Sequence, residues 1–339
     1  MKIRYMFALF LALFLALASL AAAADLRVYA IDVEGGKSTL FVSPSGESML
    51  VDTGYDGYHD RDADRILAAA QDAGVHQIDY LVLTHYHKDH IGGVSQLAAK
   101  IKIVNFVDHG PNFEEAKDNK DVLRAYELTR AKGKHFIVRA GDAIPIQGIQ
   151  VVVVTAAGKA IEKPIEGAGQ PNPLCDSYKP IAVDTGENAH SIGMWIAYGQ
   201  FHLVDLGDLY WNQEHDLACP VNKLGHADVY MTTHHGKKTS GSPQIVWALA
   251  PKVAVMNNGP ETGGSLEAWQ TIHDSPGLAD LWQLHLATKN DPAHNVAEPF
   301  IANMAVEKCE GKWIRITARQ DGTFTVVNSR NNFEKTYGK

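Results

Sequence analysis

Residues 84–93 read Thr-His-Tyr-His-Lys-Asp-His-Ile-Gly-Gly, so His85, His87, Asp89 and His90 place three imidazoles and a carboxylate within six positions. Imidazole and carboxylate donors without thiolate suit zinc, manganese or iron, in a site that keeps a position open for water. A lone histidine is more often structural or solvated, and a His-x-His pair arises readily by chance. Four donor-type side chains at this spacing, closed by Gly92-Gly93, read as ligands.

The elements that must hold them are legible nearby. Ile78-Asp79-Tyr80-Leu81-Val82-Leu83 is a short apolar run of the kind that forms a buried strand. On the extended chain leaving it, His85 and His87 point the same way, because side chains alternate with a period of two. Two imidazoles on one side can share one ion. Asp89 and His90, at the turn into a helix expected over Gly92–Lys100, can face a second.

Thr-His-x-His-x-Asp-His-x-Gly-Gly resembles the signature of metallo-β-lactamase-fold hydrolases. Leu26–Val42 with Leu50-Val51-Asp52-Thr53-Gly54 is similar to that fold's opening two-strand unit. Leu203–Asp208 is similar to the later strand whose Gly-Asp supplies a bridging carboxylate. Asp228–Thr233, followed by His234-His235-Gly236, is similar to the strand that delivers the last histidine. The His-His-Gly form and Pro251–Val255 resemble the hydrolase domain attached to ComEC-type DNA-uptake channels. The resemblance spans about residues 26 to 260 and is specific for fold and metal site, not for substrate.

It implies an α/β fold, a four-layer αβ/βα sandwich with two sheets face to face, helices outside, and metals at one edge. It also implies two zinc ions, with manganese or iron as alternatives. One ion would take His85, His87 and His190, although ComEC-type domains often carry Asn at the last position. The other would take Asp89, His90 and His235, with Asp208 bridging both. His235 is preferred over His234 because the family's last ligand usually directly precedes Gly; Asp205 reads as structural. In this scheme a metal-bridging hydroxide attacks, Asp89 orients it, and His234 protonates the leaving group. A bridging carboxylate accompanies phosphodiester, thioester and lactone cleavage, and β-lactam-opening members commonly lack it. The expected activity is phosphodiester hydrolysis. The alternatives are a lactone or β-lactam hydrolase, or a non-catalytic binding protein stabilised by metal.

The ends bear on compartment. Lys2 and Arg4, the apolar Phe7–Leu20 and Ala22-Ala23-Ala24 form the pattern of a signal peptide over residues 1–24. A retained anchor is the competing reading, disfavoured because the small residues end where the first strand pattern begins. The expected mature protein is periplasmic or secreted, without a membrane segment, and folds as one domain over residues 25–339. Loss of Lys2 and Arg4 would make it two charges more negative than the whole chain's −8, which opposes long polyanions. A small-molecule or short diester substrate fits better than an extended nucleic-acid surface. The three cysteines, Cys175, Cys219 and Cys309, allow one internal disulfide and one leftover thiol. Val33–Thr39 suggests a phosphate loop, but its first glycine would have to fall at Ile31, so the match fails.

Helices are expected over Asp60–Ala73, Asn112–Lys132 and Pro243–Ala250, and strands over Ile149–Thr155, Gly199–Asp208, Asp228–Thr233 and Lys252–Asn257. Gly311–Val327, turning at Asp321-Gly322, reads as a hairpin (about 311–328) that closes a sheet edge. Ala156–Glu187 is rich in Gly and Pro and lacks periodicity; it reads as an insertion serving as an active-site flap. His59 and His109 could lie near the site mouth.

Overall fold

The computed structural model describes residues 24–114, 119–181, 183–304 and 309–338. The leader expected over residues 1–24 lies outside them except for Ala24. Among the described residues, no helix is long and apolar enough to cross a membrane.

The chain opens with an antiparallel meander of β1 (Leu26–Ile31), β2 (Thr39–Val42) and β3 (Ser48–Val51). Helix α1 (Arg61–Asp72) leads into β4 (Gln77–Val82), parallel to β3. Two short helices, α2 (Lys88–Ile91) and α3 (Val94–Ala98), precede β5 (Lys102–Asp108), and α4 (Lys120–Arg130) precedes β6 (Lys134–Ile137). A second sheet begins with β7 (Gln150–Ala156) and β8 (Lys159–Ala160). After β9 (Gln170–Pro171) come β10 (Gly193–Tyr198) and β11 (Phe201–Asp205), then α5 (Trp211–Ala218) and β12 (Val221–Asn222). Parallel units follow: β13 (Val229–Met231), α6 (Pro243–Leu249), β14 (Val253–Met256), α7 (Leu266–His273), β15 (Asp280–His285) and β16 (Ile301–Asn303). The chain then returns to the first sheet through β17 (Trp313–Ala318), β18 (Phe324–Asn328) and β19 (Glu334–Tyr337).

The nine-stranded sheet runs β19-β18-β17-β1-β2-β3-β4-β5-β6, and the eight-stranded sheet β16-β15-β14-β13-β11-β10-β7-β8. Strand β1 explains the layering. Its alternating Leu26, Val28 and Ala30 enter a core shared with Met194 and Ile196 of the other sheet, while Tyr29 and Ile31 pack beneath α1. Ala63, Ile66, Ala69 and Ala70 recur at helical spacing and seat α1 there. On the opposite flank, Ile245, Val246 and Leu249 of α6 and Trp269 and Ile272 of α7 cover the second sheet. Each large side chain so buried contributes roughly 1.5–3 kcal/mol. The result is the αβ/βα sandwich expected from the resemblance.

Several expectations need correction. The helix expected over Gly92–Lys100 forms as the shorter α3 (Val94–Ala98), and a separate turn, α2, precedes it and meets it at Gly92-Gly93. A Cβ there would stand 2.3 Å from the Asp56 backbone nitrogen at Gly92 and 2.2 Å from the Thr53 carbonyl oxygen at Gly93, so close backbone approach demands both glycines. The helix expected over Asn112–Lys132 is described only as α4; Phe113 and Glu114 precede it in irregular structure, and residues 115–118 lie outside the described residues. The hairpin about Asp321-Gly322 forms, but it lies inside the sheet, and the polar β19 is the edge. The segment over Ala156–Glu187 is pinned rather than free. Strand β9 pairs with β12, and Cys175 is disulfide-bonded to Cys219 at the end of α5, leaving Cys309 as the free thiol. Among its described residues, Glu187 at its end reaches the histidine motif, accepting the Tyr86 N–H.

Candidate metal centre

Strand β4 delivers the histidine run to one edge of the first sheet. Beyond it Thr84 is fixed to Asp52, its N–H donating to Oδ1 at 2.8 Å and its hydroxyl to Oδ2 at 2.7 Å. The chain stays extended through His87, which caps α2, so His85 Nε2 and His87 Nδ1 converge to 3.0 Å. That is the alignment the period of two requires. The turn of α2 then aims Asp89 and His90 at a second point.

Two loops from the other sheet complete that point. After β11, Gly207 adopts φ 59° and presents Asp208, whose backbone N–H donates to Ser191 Oγ at 3.2 Å. After β13, His234, His235 and Gly236 hold φ of 53°, 56° and 73° in succession. Left-handed backbone at two non-glycine residues costs on the order of 1 kcal/mol each and gathers at functional sites. This turn brings the His235 ring inward, beside Asn257 at 3.4 Å.

Asp89, His90, Asp208 and His235 thus offer donor atoms that all lie within 4.8 Å of one another. Asp208 Oδ2 is 3.3 Å from both His90 Nε2 and His235 Nε2, and 3.5 Å from His234 Nε2. Asp89 Oδ2 is 3.6 Å from His235 Nε2 and 3.8 Å from His90 Nε2. His90 Nε2, His235 Nε2 and Asp208 Oδ1 are buried without a hydrogen-bond partner. Buried polar atoms are ordinarily satisfied, so three orphans aimed at one point fit a bound cation.

The electrostatics agree. Burial alone would lower His90, yet the carboxylates of Asp208, Asp52 and Asp89 hold it well above its ordinary value. Burial would raise Asp208, but His235, His90 and His234 hold it well below the carboxylate range. The carboxylates demand positive charge at the centre, and a divalent ion meets that demand directly. His90 Nδ1 is 2.8 Å from Asp52 Oδ2, which orients the ring and leaves Nε2 free for an ion.

His190 goes elsewhere. Its Nδ1 donates to the Gly186 carbonyl at 2.6 Å, and its ring stacks on Phe113 at 3.6 Å. Among the described residues it joins neither ligand-type cluster. His85 and His87 therefore form a pair of convergent imidazoles beside the four-donor cluster. His87 Nε2 turns outward to Glu114 Oε2 at 3.1 Å. Glu114 in turn accepts the Glu187 N–H, and Glu187 accepts the N–H groups of Tyr86 and Phe113 and faces His109. His109 accordingly lies behind the motif rather than among the ligands.

His234 lines the centre, but its surroundings change its role. Burial, with the neighbouring Lys237 ammonium, pushes it down to about 3, and Lys237 Nζ donates to its Nε2 at 2.9 Å. Sequence reading missed Lys237, Asp52, Ser191, Glu114 and Glu187 as site residues. Asp52 carried a usable signal, since its Asp-Thr-Gly turn was visible; Glu187 carried none, lying 101 residues from its partner Tyr86.

Residues 31–167 match the family described as Metallo-beta-lactamase superfamily, a stretch that holds the histidine run and stops before Asp208. The chain is 27% identical over 186 residues to ComE operon protein 3 of Bacillus subtilis, covering 55% of this chain and 20% of that protein. It is 24% identical over 234 residues to Recombination protein 2 of Haemophilus influenzae, covering 69% and 24% respectively. It thus spans a quarter or less of the length of these relatives. The metallo-beta-lactamase fold protein YhfI of Bacillus subtilis superposes with a TM-score of 0.47 at 13% identity, over 77% of this chain and 96% of that one. The matching family segment, the two-sheet sandwich and the donor groups of Asp208 and His235 arriving beside those of Asp89 and His90 agree on the metallo-beta-lactamase fold, with the family match itself covering residues 31–167.

Proposed function

We propose that this chain is a dinuclear metal-dependent hydrolase that cleaves phosphodiester bonds in small or short substrates, exported to the periplasm or beyond, with zinc as the fitting metal. The observation that carries the reading is the set of orphaned donors: His90 Nε2, His235 Nε2 and Asp208 Oδ1, buried and unpartnered around one point. Asp89, His90, Asp208 and His235 would hold one ion, and His85 with His87 would hold the other beside it. Divalent ions bound there supply Lewis acidity and acidify coordinated water.

The chain's own groups divide the remaining work. Asp89 lies at the mouth, 17% exposed, where its carboxylate can orient an attacking water. Asp208 lies 3.3 Å from both His90 and His235, where its carboxylate would add negative charge to a bound ion. The acid role expected of His234 passes to the pair it forms with Lys237, because the ammonium is the member that carries protons to give. The same ammonium attracts a substrate anion, which favours a phosphodiester over a neutral lactone or β-lactam. The chain's net charge of −8 favours short diesters over long nucleic acid. A non-catalytic, single-ion binding role draws on one observation, the diversion of His190.

Metal content and turnover of bis-p-nitrophenyl phosphate, nitrocefin and an acyl-homoserine lactone by the purified protein decide between these readings. Two ions per chain, with diester turnover abolished in both Asp208→Ala and His235→Ala, support the proposal. One ion and no turnover after added zinc or manganese favour the binding role, and lactone or nitrocefin turnover alone moves the substrate class.

A further inference from the structure

A second ligand-type cluster stands at the strand ends. Asp32 directly follows β1, His285 ends β15, and Cys309 precedes β17; their donor atoms lie within 4.8 Å of one another. Asp32 and His285 are 0% and 2% exposed, so neither carboxylate nor imidazole can rely on water. Cys309 Sγ is 3.0 Å from Asp32 Oδ2, and His285 Nε2 is buried with no partner. The thiol meets a carboxylate instead of the imidazole, so the cluster is not a nucleophile–base pair.

Charge surrounds the cluster in an informative way. Arg65 pairs with Asp32 and Glu34, and Arg61 pairs with Glu34 and Asp62. Among the described residues, these pairs set two guanidinium groups against three carboxylates, one negative charge in excess. Ionising Cys309 would add a second, and one divalent ion would balance both.

We propose that Asp32, His285 and Cys309 form a second, thiolate-bearing site for a zinc-class divalent ion, separate from the histidine cluster. Sulfur, imidazole and carboxylate are zinc's usual donor types, with room for one more ligand. On binding, the thiol proton leaves to water as the sulfur–metal bond forms, and no electron is transferred. The ion would tie three distant segments together. It would also hold the turn after Asp32, through which the Lys37 N–H donates to the Asp89 carbonyl at 3.0 Å.

Cobalt(II) titration of the metal-free, full-length protein tests this, because thiolate ligation produces a near-ultraviolet sulfur-to-cobalt charge-transfer band. The histidine cluster contains no cysteine, and Cys175 and Cys219 are bonded to each other, so such a band reports Cys309. The expected result is a band in the wild type, its loss in Cys309→Ser with one ion fewer per chain, and affinity weakened about tenfold or more in His285→Asn. No band at saturating cobalt overturns the proposal, as does an unchanged band midpoint in His285→Asn and Asp32→Asn. Should the variants fail to fold, the alkylation rate of Cys309 in the wild type decides. Zinc protection supports the site, and a rate indifferent to zinc overturns it.

Discussion

Lys37 is the most demanding test of how the centre is held. Its ammonium is 1% exposed and lies against Asp205 Oδ1, itself fully buried, three residues before Asp208 and accepting from the Gly207 N–H. Burial would lower Lys37, but Asp205 and Asp52 hold it above its ordinary value, so it is charged. Replacing it with methionine keeps the volume and removes the charge, leaving Asp205 buried and unpaired with its Oδ1 still accepting from the Gly207 N–H. Removing one partner of a buried pair costs about 3–5 kcal/mol, most of it the penalty of the stranded charge. With a urea slope of about 3 kcal/mol per molar, the midpoint should fall by roughly 1–1.7 M. In Lys37→Met/Asp205→Asn no charge is stranded, and most of that loss should return. Urea unfolding of the four proteins, each metal-free, gives the cycle directly. If the single losses simply add in the double variant, the two side chains are not coupled and the reasoning fails. A loss in Lys37→Met below about 1 kcal/mol would place the pair among weak surface bridges and refute its role.

Three further outcomes are expected. Asp52→Asn removes the charge beside His90 Nδ1 and should weaken zinc binding about 10–100-fold, read by competition with a chromogenic chelator; unchanged affinity would free Asp52 of any positioning role. Reducing the Cys175–Cys219 disulfide, which spans a separation of 44 residues, should cost about 4 kcal/mol, seen as a lower urea midpoint with dithiothreitol and no such shift in Cys175→Ser. Burial pushes Glu214 up to about 7 from 4.5, against the N–H groups of Ser242 and Gly241 that favour its charged form. A raised folded-state value means its stabilising contribution is full below pH 4.5 and lost as pH rises through about 7. The wild type should therefore lose about 3 kcal/mol relative to Glu214→Gln across that window, measured by thermal unfolding, and parallel curves would contradict it.

What could be read from the chain beforehand follows a physical divide. His85, His87, Asp89 and His90 were legible because a strand of period two running into a helical turn disposes neighbours in a known way, and the convergence of His85 and His87 is local geometry. The resemblance supplied Asp208 and His235, whose loops carry the glycines Gly207 and Gly236 that left-handed turns require. The extra turn α2, set off from α3 at Gly92-Gly93, was not legible, since it depends on backbone at Thr53 and Asp56 arriving from another loop. His190 escaped for the same reason. The residue type and position suited a ligand, but Phe113 and the Gly186 carbonyl compete for the ring.

The carboxylates behind the ligands were hidden most completely, and they account for how this edge coheres. Asp52 grips Thr84 and His90 from the β3 turn, Glu187 grips Tyr86 and Phe113 from the far end of the pinned insertion, and Glu114 links Glu187 to His87. Each is a buried or half-buried acceptor held by N–H or O–H donors, and together they fix the backbone and rings of the histidine run. Such partners can come from any loop that reaches the edge, which leaves no fixed spacing to read. A ligand motif in this fold therefore announces itself locally, whereas the tuning of its affinity is distributed over residues that only the folded sheet edge brings together.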